Sequence, residues 1–274
     1  MPGDEYVSIW MRPERPQRST PGPRPAYSRA QITATAVAIA DAEGLDAASM
    51  RRIAADLGTG AMSLYRYTPR REDLIELMVD AVAGEMNLPD RPTGDWRADL
   101  SLLAHERRAL WRRHPWLASL TEGHPVWGPN SLRVLEFTYG ALDGFGLAID
   151  EVTSLVGLIS GYVAGVVRTE VGWEEEARRT NVDMRQWMSD IGPYVQRLMA
   201  SGKYPMFARV IRETQTPWME PDARFRYGLD RVLDSIAATL PGKAGPARRS
   251  SATDEPKPPS CQPAAPDQVD PGLA

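Results

Sequence analysis

SMRRIAADLGTGAMSLYRY, residues 49–67, decides how the N-terminal third of the chain folds. Ser49 is a helix N-cap residue, and Met50, Ile53, Ala54 and Leu57 fall at i, i+3, i+4 and i+7, so one apolar face runs along a seven- to eight-residue helix. Gly58-Thr59-Gly60 breaks it, and Ala61 to Tyr67 follow as a second short helix with one clearly inward residue, Leu64. Two short helices joined by a glycine-containing turn form a helix-turn-helix. The second must project far enough to enter a major groove about 12 Å wide. Its remaining side chains are small groups, hydroxyls, a methionine and a guanidinium, which suit a DNA surface.

Working outward, Ser28 and Gln31 have capping-box spacing ahead of Ile32, Ala36, Ile39 and Ala40, and Gly44 ends that first helix. Pro69 closes the reading helix, and Leu74, Leu77, Met78, Ala81 and Val82 mark a fourth. Beyond Pro92, helical periodicity continues at roughly 95–113, 115–121, 129–145, 150–178, 183–200 and 220–240, separated by Gly and Pro signals. The expected fold is all-α, with a helix-turn-helix domain over 28–73 followed by a larger helical domain over 74–241. Residues 1–27 and 242–274 read as a disordered leader and a disordered Pro-rich tail.

The formal net charge of -4 argues at first against a nucleic-acid partner. Its distribution argues the other way. Residues 1–71 hold ten Arg against seven Asp and Glu, whereas the remainder holds 22 basic against 29 acidic residues. A basic head on an acidic body is the expectation. The single cysteine, Cys261, builds neither a disulfide framework nor a zinc site within one chain, and no signal-peptide core precedes residue 28. A cytoplasmic protein without metal or cofactor is therefore expected.

The segments SMRRIAADLG (49–58), MSLYRY (62–67) and REDL (71–74), in that order and spacing, resemble the DNA-binding domain of the TetR family of transcriptional regulators. The resemblance implies that Arg51 contacts phosphate or a base edge and that Ala61, Met62 and Ser63 face the major groove. It also implies contacts from Tyr65, Arg66 and Tyr67, with Arg71 near phosphate. Ala61 and Met62 make no bidentate hydrogen bonds, so base reading shifts to Arg66 and Arg51. Two alternatives stand beside this: Tyr65 and Tyr67 as core aromatics, and the arginines as a solvated face. The leader arginines Arg12, Arg15, Arg18, Arg24 and Arg29 are either a minor-groove arm or a solvated tail.

The family resemblance extends to a tetracycline-repressor-like C-terminal domain, and implies a ligand-released repressor acting as a homodimer on a palindromic operator. In the residues themselves, Phe225, Leu229, Val232, Leu233, Ile236 and Leu240 form one apolar stripe, and Gly157, Gly161 and Gly165 recur every four residues in the uncharged run 152–167. That run is too short to span a membrane and points to a buried two-fold interface made with Leu229, Val232, Leu233 and Ile236. Aromatic residues crowd the same domain. Trp111, Trp116, His124, Trp127 and Tyr139 are candidate contacts for a small apolar or aromatic effector. No nucleophile elbow, dinucleotide loop or metal-ligand spacing supports an enzyme. A helical protein-interaction module and a constitutive regulator without a ligand are the competing readings.

Overall fold

The computed structural model describes residues 8–13, 27–120, 126–214 and 220–241, which form helices joined by turns and irregular segments, with no strand among them. Ser28 opens α1 (Arg29–Glu43) with the expected reciprocal cap: Gln31 N donates to Ser28 Oγ at 3.2 Å, and Ser28 N donates to Gln31 Oε1 at 2.9 Å. Its face of Ile32, Thr33, Ala36, Ile39 and Ala40 is buried. Gly44 stops the helix at φ +88°, a conformation that a side chain would strain.

The second and third helices follow as the spacing predicts, with one difference in length. Ser49 caps α2 (Met50–Asp56) by accepting from Arg52 N, and Gly58 turns the chain at φ +68°. The reading helix α3 (Ala61–Leu64) is only four residues long. Tyr65 to Tyr67 continue as a tighter turn in which Tyr67 N donates to Leu64 O at 2.8 Å, because Pro69 lies two residues on and a helix does not run comfortably into a proline.

α4 (Arg71–Ala83) packs on α1 and also on α6 (Pro129–Gly140), so it belongs to both head and body. A boundary between residues 73 and 74 falls within this one helix. The body continues through α5 (Trp96–Arg113), a 3-10 turn at Pro115–Ser119 where an α-helix was expected, α7 (Ile149–Thr180), α8 (Met184–Ala200), α9 (Pro205–Glu213) and α10 (Pro221–Thr239). α5, α7 and α10 pack together around Leu103, Val163, Val167 and Phe225. α9 was not expected from the sequence, although Pro205 at its first turn and Met206, Phe207, Val210 and Ile211 give it a helical signature.

The leader also departs from expectation. Ile9–Met11 form a 3-10 turn with Ile9 fully buried, so this part of residues 1–27 is not a loose tail.

Candidate nucleic-acid interface

The presentation of the reading segment rests on one anchor. Leu64 is fully buried against the head core, which turns its neighbours outward: Met62 is 77% exposed, Tyr65 43%, and Arg66 is exposed with them. Tyr65 is therefore a surface residue and not a core aromatic. Ala61 and Ser63 are partly exposed, and Tyr67 is half-buried against the core. Arg51 is exposed at the start of α2. Arg71, also exposed, donates to Asp46 Oδ1 at 3.1 Å and Leu45 O at 3.2 Å, so its cation is held at the edge of the same head by groups that a phosphate can displace. All eight predicted DNA-facing residues thus lie within one head.

The other head arginines are engaged in structure. Arg52 bridges Glu43 and Asp56. Arg70 pairs at 2.9 Å with the fully buried Asp73 carboxylate, which also accepts from Arg70 N and so closes the first turn of α4. Tyr27 Oη donates to Leu57 O at 2.8 Å, tying the start of α1 to the end of α2.

Among the described residues, polar contacts join head and body on two sides. Asp80, 4% exposed on α4, accepts from Ser131 N at 2.8 Å and Asn130 Nδ2 at 3.2 Å, so a head carboxylate caps the N-terminus of α6. A Cβ at Gly128 would collide with that carboxyl group, so the approach requires glycine. On the other side His114, at the end of α5, sits between Asp41 and Glu85. Burial works to raise the Glu85 carboxyl, but hydrogen bonds from His114 and Arg113 outweigh it and hold the group below its ordinary range. None of these contacts was legible in the sequence, since Asp41 and His114 are 73 residues apart and each looks like an ordinary surface polar group.

Residues 32–78 match the family described as bacterial regulatory proteins, tetR family, and residues 88–240 match the tetracyclin repressor-like, C-terminal domain. Over 239 residues the chain is 38% identical to the HTH-type transcriptional repressor DrrR1 of Streptomyces coeruleorubidus, covering 86% of both. The chain belongs to the TetR family. As such it is a DNA-binding transcription factor and not an enzyme. Among other TetR-family relatives, an HTH-type transcriptional regulator of Saccharopolyspora erythraea is 34% identical over 62% of this chain and 70% of its own. Apo ActR from Streptomyces coelicolor superposes with a TM-score of 0.66 at 26% identity, covering 78% of this chain and 97% of ActR. ActR in complex with actinorhodin superposes at 0.64, again at 26% identity, over 80% and 99%.

The body of this TetR-family chain places the remaining predicted residues less uniformly. Trp116 is 4% exposed and its Nε1 donates to Asp41, which commits it to the head–body contact and away from any cavity. Trp111 and Tyr139 are half-buried on α5 and α6, and Tyr139 Oη reaches Thr153 Oγ1 on α7 at 3.4 Å. Trp127 is 57% exposed ahead of α6, and His124 lies outside the described residues. The four described residues thus differ in environment: Trp116 is buried, Trp127 is exposed, and Trp111 and Tyr139 lie between.

The predicted interface residues divide in the same way. Leu229, Leu233 and Ile236 are at most 2% exposed, packed into the protomer's own core, so they are unavailable to a partner. Val232 is half-buried. Gly157, Gly161 and Gly165 lie instead on the open face of α7, where an added Cβ would meet nothing within 4 Å. Sequence periodicity showed that the α10 stripe is buried but not what buries it.

An ion pair that sequence reading missed lies beneath α10. Arg108 Nε and Nη2 donate to Glu170 at 3.0 and 2.9 Å, both side chains nearly buried, and Arg108 Nη1 donates to Asp222 at 2.8 Å. The same guanidinium lies 4.8 Å from the centroid of the Phe225 ring. This network links α5, α7 and α10.

Proposed function

We propose that this regulator is a homodimeric repressor that reads a palindromic operator with Arg51 and the segment Ala61 to Tyr67, and that a small apolar or aromatic effector releases it. The observation that carries the DNA half is the outward set of Met62, Tyr65 and Arg66 around the buried Leu64, with Arg51 and Arg71 on the same small head. Arg66 and Arg51 supply the hydrogen bonds to base edges, and Arg71 supplies phosphate contact.

The dimer reading is supported by a surface that the protomer leaves open. α7 spans 32 residues, yet its glycines at 157, 161 and 165 face no neighbour. A row of small residues in an otherwise apolar helix permits close approach of a second helix, and a two-fold axis there sets two reading heads on successive half-sites. α7 is long and apolar enough to cross a membrane by length and composition, but it carries Glu170 paired to Arg108 and buries Val152, Ile159, Val163 and Val167 against its own bundle. A cytoplasmic bundle helix accounts for all three features.

The effector is inferred from the half-buried aromatics Trp111 and Tyr139 and from ActR, whose structures include complexes with actinorhodin and with (S)-DNPA. The decisive experiment selects duplexes from a random library with the full chain and sizes the complex. An inverted repeat bound by two chains supports the proposal, and no enriched sequence overturns it. Thermal-shift screening of apolar aromatic compounds against the same complex tests release. A chain that no compound shifts is a constitutive regulator.

A further inference from the structure

The Arg29 guanidinium joins two parts of the chain that the sequence keeps far apart. Its Nε donates to Tyr67 O at 3.2 Å, and its Nη1 donates to Arg12 O at 2.9 Å and Ile9 O at 3.5 Å. Tyr67 closes the reading segment, and carbonyls at the end of a helical turn have no partner within it. Arg29 provides that partner. The planar fork suits this role, since its donors point in fixed directions and can hold carbonyls from two segments at once.

The leader turn is itself docked. Ile9 is fully buried, and Trp10 Nε1 donates to Glu76 Oε2 on α4 at 3.0 Å. A Cβ at Gly128, the residue that opens α6, would run into the Trp10 ring as well as into Asp80. One turn therefore touches α1 through Arg29, α4 through Glu76 and the start of α6 through Trp10, at the place where head meets body.

We propose that the leader turn from Ser8 to Arg12 is a working part of the reading head, with Arg29 as the positioning residue through which it acts. It rests on the operator-binding reading above. The turn holds Arg29 in the rotamer that secures Tyr67 O, and so fixes the exit of the reading segment relative to α1. It raises operator affinity without contacting DNA. Removing it returns Arg29 to its solvent rotamers, and the reading segment must then be ordered at the moment of binding.

The test uses the full chain and a duplex selected by the wild type from a random library, with binding followed by fluorescence anisotropy across a salt series. Ile9→Asp undocks the turn, and is expected to weaken binding about tenfold with an unchanged slope of log K against log salt, because no phosphate contact is lost. Equal affinity overturns the proposal. So does a shallower slope, which identifies the leader as an arm lying on phosphates. Arg29→Lys keeps the charge but loses the fork, and is expected to cost as much as Ile9→Asp; full binding by Arg29→Lys overturns the positioning role. The double variant is expected to bind no worse than the weaker single one, and additive losses overturn the shared pathway. Where Ile9→Asp is too unstable to assay, Ile9→Ala carries the same expectation at reduced size. A wild type that selects no duplex defeats the reading of the head itself, a result distinct from a wild type and an Ile9 variant that bind alike.

Discussion

Trp116 Nε1 donates to Asp41 Oδ1 at 2.8 Å, and the same oxygen lies 2.7 Å from His114 Nδ1, so the 3-10 turn of the body hangs from the last turn of α1 by one carboxylate. Trp116 and His114 are 4% exposed, and Asp41 is the partner that makes their burial tolerable.

Asp41→Ala is accordingly expected to destabilise the fold by about 2 kcal/mol, since the buried Trp116 indole N–H loses its acceptor and His114 loses a polar partner. Denaturant unfolding followed by tryptophan fluorescence measures this. Trp116→Phe, which removes the indole N–H donor and leaves Asp41 able to hold His114, is expected to cost less than Asp41→Ala. The reverse order shows that ring packing and not the hydrogen bond holds the turn.

The buried pair Arg108–Glu170 yields a prediction of opposite signs. Arg108→Met leaves Glu170 buried without a cation and is expected to cost about 3–5 kcal/mol, whereas Arg108→Met with Glu170→Leu recovers most of that loss. Thermal melts of the two variants decide it. A double variant as unstable as the single one shows that the pair is a required element of the bundle.

The contrast between these sites and those read from sequence has a physical basis. The capping box of Ser28 and Gln31, the stop at Gly44 and the anchor Leu64 are local, fixed by residues within one or two turns, and so were legible. Asp41–His114, Arg108–Glu170 and Arg29–Tyr67 join groups 73, 62 and 38 residues apart, and nothing in the periodicity marks them. The α10 stripe lies between these cases. Its spacing predicts a buried face, but only packing shows that α5 and α7 of the same protomer bury it. α9 was missed because its nine residues lie in the short stretch 203–216 between the turn signals at Gly202 and Pro217 to Pro221.

At the reading head, Arg66→Ala and Arg51→Ala are each expected to lose about 1–3 kcal/mol of affinity for a selected duplex. Arg52→Ala is the internal control: its guanidinium is held by Glu43 and Asp56, and its loss is expected to leave affinity nearly unchanged. Asp46→Asn removes the carboxylate that holds Arg71 and is expected to tighten binding at low salt. A large loss in Arg52→Ala instead places α2 closer to the phosphates than Arg66.

Acid stability follows from two carboxylates. Arg108 holds Asp222 below its ordinary range, and the bonds from His114 and Arg113 do the same for Glu85 against the opposing effect of burial. A group whose folded-state value is depressed contributes stability above the unfolded-state value, and loses it as pH falls through the folded one. Stability is therefore expected to be flat near neutrality and to fall below about pH 4.5, the ordinary carboxylate range. Both groups are substantially solvent-exposed, so the effect is modest. Glu85→Gln and Asp222→Asn are each expected to flatten the acid limb of a stability–pH curve, and an unchanged limb assigns the loss to other groups.

Gly161→Leu separates protomer stability from association. Inside the protomer the new side chain meets open space, and replacing glycine within a helix is expected to stabilise the fold by roughly 0.5–1 kcal/mol. At the proposed two-fold axis the same side chain holds two backbones apart, so the dimer is expected to dissociate at least about tenfold more readily, with operator binding weakened because two tethered heads become two separate ones. Analytical ultracentrifugation and thermal melting on one preparation read both effects. A variant that melts higher and still associates as the wild type does moves the interface off the glycine face of α7.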